Sequence, residues 1–180
     1  QRQMCIRDRF HSSRTFRDHF KRGEELIDFD EACIEIRAQH DRFVEIVGRE
    51  PDYFEAHAVM SKNLNRAISA VAQELGLKEQ KASFDPAAVV HCGDTDLRMV
   101  MRSMEPGYEP KEAIMQTVRG MVDGETVVFV CHPGYLDRFI LENSSLTTDR
   151  TKEVDALIDP ELRAWLESQS DLRLIDYRDL

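Results

Sequence analysis

Two groupings hold most of what this 180-residue chain could do chemically. The first is Cys131-His132-Pro133-Gly134, directly after the apolar run Val127-Val128-Phe129-Val130. In parallel α/β folds, functional groups gather where strands end at their carboxyl edge. Pro133-Gly134 predicts an immediate turn that would leave the His132 imidazole facing a cleft. His132 reads equally as a histidine whose ring bonds a neighbouring carbonyl at a strand terminus. The second grouping is Glu55-Ala56-His57. Side chains alternate along a strand, so Tyr53, Glu55 and His57 share one face while Phe54 and Ala56 share the other. A carboxylate and an imidazole at that spacing can ligate one metal, or the carboxylate can orient the ligand from behind. The same pair is also an ordinary strand surface.

The remaining candidates have plainer readings. His40, within a helix beside Arg37 and Asp41, reads as a solvated residue; His11 and His19 fall in an unassigned basic stretch. His91 precedes Cys92-Gly93 at a strand end. Arg150 can bind an anion or a substrate hydroxyl, or can pair with Asp149 or Glu153 as a first-turn helix residue. Asn143-Ser144-Ser145 matches a glycosylation sequon too short to carry meaning by itself.

The elements that must position these residues are read from periodicity. Apolar residues Ala32, Ile36, Phe43, Ile46 and Val47 predict a helix over 29–47, with Asp28 or Asp30 as N-cap and Gly48 as its stop. A short strand is predicted over 53–57, then a helix over 63–75 closed by Gly76. Residues 87–92 are β-compatible. A helix can start at Pro110, a good first-turn residue, and run to about Val122. Residues 126–131 are β-branched and apolar on both faces, the pattern of a fully buried strand. Asp149 and Asp159-Pro160 signal helices over 150–158 and 161–168, and 172–175 reads as a closing strand. Strands alternating with helices imply an α/β fold with parallel βαβ units, a doubly wound sheet or a (β/α) barrel.

Composition narrows the classes. Against 24 Lys+Arg stand 34 Asp+Glu, a formal charge of −10. Nucleic-acid binding needs a basic surface to replace phosphate counterions, so no nucleic-acid partner is expected. No apolar run reaches the length of a membrane span, so no membrane partner is expected either. Four scattered cysteines without a Cys-x-x-Cys pair exclude a disulfide scaffold and a zinc ribbon, and fit a reducing, cytoplasmic compartment. A homo-oligomer stays compatible with the sequence.

Residues 1–9, Gln-Arg-Gln-Met-Cys-Ile-Arg-Asp-Arg, have no period and no join to the segment after them. They resemble the in-frame translation of a transposase adapter used in DNA sequencing, and are set apart from fold reasoning. Removing their three Arg and one Asp leaves 21 bases against 33 acids, a charge of −12. On this reading the gene begins upstream, and residues 10–180 are a partial domain.

The tail carries a more specific likeness. Val130-Cys131-His132-Pro133-Gly134-Tyr135, then Asn143-Ser144-Ser145-Leu146, Arg150, Glu153, Asp159-Pro160 and Leu174-Ile175-Asp176-Tyr177-Arg178-Asp179-Leu180 resemble the C-terminal third of the YdjC/ChbG carbohydrate deacetylases. That family typically ends with Cys-His-Pro-Gly, a Ser-Ser pair, an Arg-x-x-Glu step and Tyr-x-Asp-Leu. Upstream, Gly48-Arg49-Glu50-Pro51-Asp52-Tyr53-Phe54-Glu55-Ala56-His57 is similar, more loosely, to a family segment ending in three histidines. His57 falls on the first of these; Ala58 and Val59 replace the others.

The resemblance implies the C-terminal two-thirds of an irregular (β/α) barrel. It also implies removal of the N-acetyl group from a chitooligosaccharide-like amino-sugar oligosaccharide, using one divalent metal ion, magnesium or zinc. Such an ion polarises the acetamide carbonyl and lowers the pKa of a bound water. By resemblance His57 is a metal ligand with Glu55 behind it, and His132 is a catalytic cleft residue, the acid for the departing amine. Arg150, Asn143, Ser144 and Tyr135 would then bind the sugar or brace the His132 turn. The family's Ala-Asp-Asp-Phe-Gly and Gly-x-His motifs do not occur in these 180 residues, so the chain by itself is expected to be inactive. The competing expectation is a non-catalytic carbohydrate-binding or regulatory member of the same family.

Overall fold

The computed structural model describes residues 18–19, 21–56, 61–80, 89–92 and 94–180. The predicted ligand His57, with Ala58 and Val59, lies outside the described residues, as does the adapter-like segment 1–9. The chain divides into two compact units. The first comprises Gln1–Ala82, His91–Thr95 and Asp176–Leu180; the second comprises Ser83–Val90 and Asp96–Ile175.

In the first unit, helix α1 spans Phe29–Val47. The Asp28 side chain accepts from the Glu31 N–H at its start, and Gly48 ends it in the left-handed region at φ 76°. Both ends are therefore closed by the residues whose chemistry suits them. Strand β1 (Tyr53–Glu55) comes next, then helix α2 (Lys62–Leu75), capped by Ser61 and stopped by Gly76 at φ 68°. β2 (Lys78–Gln80) returns parallel to β1, with Phe54 opposite Glu79. This is a βαβ crossover, since parallel neighbours need a long connection. Ala32 and Cys33 of α1 pack on Ala67 and Val71 of α2, with Phe54 and Leu64 around them. Across that seam Arg37 grips Glu74 with two bonds, Nε to Oε1 at 3.1 Å and Nη2 to Oε2 at 2.5 Å.

In the three-stranded sheet, β4 (Thr95–Val100) lies between β3 (Val89–Cys92) and β5 (Thr126–Phe129). β4 and β5 are parallel, Leu97 facing Thr126 and Val100 facing Phe129, and the Val130 N–H extends the ladder to the Val100 carbonyl at 2.7 Å. Helix α3 (Pro110–Arg119) fills their crossover. Three helices complete the second unit: α4 (Arg138–Asn143), α5 (Thr148–Leu157) and α6 (Pro160–Glu167). The wholly buried Leu97 sits at the centre of the sheet.

Four expectations change. β5 is half-buried along its length rather than fully buried, because among the described strands it is an edge, paired only with β4. α3 ends at Arg119, where Gly120 turns the chain, three residues before the predicted end. α5 begins two residues before the predicted Arg150. Residues 172–175 form no strand: a strand needs a partner edge, and no described strand pairs with them. Strands β2 and β4 and the short α4 have no counterpart among the elements that periodicity predicts. No helix among the described residues is long and apolar enough to cross a membrane.

Candidate functional site

The carboxyl end of β5 delivers His132 three residues beyond the strand. The chain does not turn there. It runs on without regular structure to Asp137, and Gly134 is not among the glycines with positive φ. The reason is an external hold. The His132 N–H donates to Glu153 Oε2 at 2.6 Å, and Arg150 Nη1 donates to the His132 carbonyl at 3.2 Å. The Gly134 N–H donates to the Arg150 carbonyl at 3.3 Å. The segment thus lies along α5 instead of folding on itself. The imidazole is half-buried, with its Nδ1 buried.

Arg150 makes no ion pair with Asp149 or Glu153 among the contacts that define its position. Its Nε donates to the Leu146 carbonyl at 3.1 Å, and its Nη1 to His132. The same Leu146 carbonyl takes the Ser144 hydroxyl at 2.8 Å, and the Leu146 N–H donates back to Ser144 Oγ at 3.2 Å. Ser144, Leu146, Arg150 and His132 are therefore joined by one run of hydrogen bonds. Asn143 closes α4, and Tyr135, 80% exposed, stands beyond the held segment.

The sequence marks Glu153 as a partner for Arg150 and as the end of the Arg-x-x-Glu step in the family-like tail. In the structure it is 1% exposed and takes a second bond on Oε1, from the Tyr108 hydroxyl at 3.0 Å. Burial, followed by the hydrogen bond to Glu153, holds the Tyr108 phenol well above its ordinary range, so it stays a donor. Lys152, on the same helix, donates to the Tyr108 carbonyl at 3.0 Å and to Glu109 Oε1 at 2.8 Å. Nothing in the sequence marks Tyr108; the signal for Glu153 is its three-residue spacing from Arg150, one face of a helix. Burial, then the Glu153 charge, pushes the Cys131 thiol up to about 11, which leaves it a poor nucleophile at neutral pH.

Of the other predicted pair, Glu55 lies in the first unit. Glu55 ends β1 with an exposed side chain. Burial, with Glu55 as the next influence through charge and a hydrogen bond, raises the Tyr53 phenol. The Tyr53 ring meets Tyr177 at 4.1 Å between centroids. Lys78 Nζ reaches the Tyr177 carbonyl at 3.5 Å and also bonds the Leu180 carbonyl, tying the tail to β2. His91 is exposed on β3. His40 is not solvated: it is 8% exposed, with Nε2 2.5 Å from Glu50 Oε2 and Nδ1 3.2 Å from Asp41 Oδ1. Its ring meets Phe54 edge-on at 6.1 Å, so it joins α1 to the approach of β1. The bond to Glu50, then that to Asp41, raises its pKa.

Among the described residues no group of three or more His, Cys, Asp or Glu is placed to hold a metal ion.

Comparison with known proteins supplies the family. The family model described as YdjC-like protein matches residues 5–168. The chain is 27% identical over 154 residues to carbohydrate deacetylase 2 of Listeria innocua serovar 6a, covering 84% of this chain and 60% of that protein. It is 28% identical over 167 residues to the chitooligosaccharide deacetylase of Klebsiella pneumoniae subsp. pneumoniae, covering 87% and 64%. It thus spans about three-fifths of the length of these relatives. A crystal structure from Enterococcus faecalis V583, described as a cellobiose-phosphate cleavage protein, superposes with a TM-score of 0.64. It is 21% identical, with 85% of this chain and 61% of that chain covered, and it supports the α/β fold. The chain belongs to the YdjC-like protein family.

Proposed function

We propose that the protein containing this chain is a carbohydrate N-deacetylase. It would hydrolyse the acetamide of a chitooligosaccharide-like amino sugar to acetate and a free amine, in the cytoplasm, on an irregular (β/α) barrel. The observation that carries the reading is the placement of His132 just beyond the carboxyl end of a parallel strand, with its backbone held from both sides. The deacetylase names of relatives in the same family support it.

In this reading the C–N bond of the amide breaks as His132 gives its proton to the departing nitrogen, and water supplies the oxygen of acetate. A positioned imidazole suits that task because its ordinary pKa lies near neutrality. With Nδ1 buried, Nε2 is the nitrogen assigned to the amine. Tyr135, the most exposed aromatic of the segment, offers a face for a sugar ring. Ser144 and Arg150 brace the His132 segment, and Asn143 is assigned to the sugar. The reading includes a divalent ion, magnesium or zinc, which His57 would help to hold with Glu55 as the residue that orients it. The 180 residues lack the Asp-Asp and Gly-x-His motifs that the resemblance requires, so the chain alone is assigned no activity.

The test is release of acetate and free amine from a panel of N-acetylated oligosaccharides by the complete reading frame, with and without EDTA. Metal-dependent release is the expected result. Metal-independent sugar binding without any acetate would replace this reading with that of a non-catalytic carbohydrate-binding member, for which Ala58 and Val59 in place of histidines are the motive. Cleavage of another amide or ester in the panel, such as a lipid-linked amino sugar, would move the substrate class.

A further inference from the structure

One helix takes hold of both backbone polar groups of His132 with side chains three residues apart: Glu153 accepts from its N–H and Arg150 donates to its carbonyl. A buried carboxylate is costly unless its oxygens are satisfied. Glu153 is 1% exposed, and each of its oxygens has one donor, the His132 N–H at 2.6 Å and the Tyr108 hydroxyl at 3.0 Å. Tyr108 is itself buried, and its carbonyl is tied to Lys152 of the same helix at 3.0 Å. A carboxylate accepting from a backbone N–H makes a short, charge-assisted bond, stronger than a neutral one. Arg150 alone would leave the His132 N–H without its acceptor and the segment free to pivot about the carbonyl.

We propose that Glu153 and Tyr108 are positioning residues for His132: the buried carboxylate fixes the backbone that carries the imidazole, and the phenol fixes the carboxylate. The inference rests on the reading of His132 as the proton donor, and it adds two residues that touch neither substrate nor metal. An imidazole moved by about 1 Å can cost on the order of 100-fold in rate with little change in binding.

In the complete, metal-loaded protein E153A is expected to lower kcat about 100-fold while KM changes little. E153Q should recover at least about tenfold of that loss. Its carbonyl can still accept from the His132 N–H, while its amide faces the Tyr108 oxygen, which accepts as well as donates. Y108F should lower kcat less than E153A. A second readout needs no activity: the His132 amide proton of this chain, followed by NMR, should resonate downfield and exchange slowly, and E153Q should move it upfield. Folded E153A with wild-type kcat overturns the proposal. If E153A does not fold, wild-type kcat in Y108F together with an unmoved His132 amide in E153Q overturns it. A wild-type protein that releases no acetate sinks the deacetylase reading instead, and the amide signal still decides whether Glu153 holds His132.

Discussion

Glu55 and His132 both stand at carboxyl ends of parallel strands within βαβ crossovers, and the two crossovers hold them differently. Glu55 ends β1 with its side chain exposed and the Tyr53 phenol beside it. His132 leaves β5 with its backbone held by Glu153 and Arg150. In the first unit the contacts join helix to helix: α1 and α2 share an apolar seam and the Arg37–Glu74 clamp. In the second unit the contacts are polar and converge on the strand end. The comparison teaches that a strand terminus gives a residue its place, while a neighbouring helix decides how firmly it stays there.

The largest effect that bears on this contrast is at His132 itself. H132A in the complete protein should lower kcat by roughly 100- to 10,000-fold, the range of a general acid, measured as acetate release. E55Q should cost less than H132A if Glu55 only orients a neighbour, and an equal loss would erase the distinction. Next comes stability. E153A leaves the buried Tyr108 hydroxyl and the part-buried His132 N–H without their acceptor and should destabilise the chain by about 3 kcal/mol in urea unfolding, with E153Q costing less than half of that. Equal costs would mean that the carboxylate's charge, not its geometry, matters.

Smaller effects separate the helix ends of the two units. Ser61 caps α2 by accepting from the Leu64 N–H at 2.9 Å, whereas Thr147 makes no capping bond at α5. S61A should therefore cost about 1 kcal/mol and T147A less than about 0.5 kcal/mol in thermal unfolding. Smallest is the pH dependence of the first unit. His40 has its pKa raised by Glu50 and Asp41. Its charged pairing is thus fully present below the unfolded value of about 6.5 and is lost as pH rises through the higher folded value. Glu50 is exposed, so the effect should stay below about 1 kcal/mol. H40Q should flatten the decline in stability on the alkaline side, and an unchanged pH profile would show that the pairing contributes nothing.

Legibility in the sequence divides along the same line. α1 can be bounded from Asp28 to Gly48 and α2 closed at Gly76 because side-chain caps and left-handed glycines are local signals. α5 cannot be bounded so well, since Thr147 starts it without a capping side chain. His132 is legible as a strand-end residue, but the turn expected at Pro133-Gly134 does not form, because residues 16 to 21 positions away hold that backbone. Tyr108 is illegible: its role depends on a contact with Glu153 across 45 residues. His40 departs from its solvated reading for the same reason, its partner Glu50 lying beyond the helix that carries it.

The role of His132 as the acid in an N-deacetylation can be measured as acetate and free-amine release from a chitooligosaccharide, comparing the complete protein with its folded H132A variant under saturating metal. Release by the wild type and at least about 100-fold slower release by the variant are expected. Equal rates in the two proteins would contradict that role.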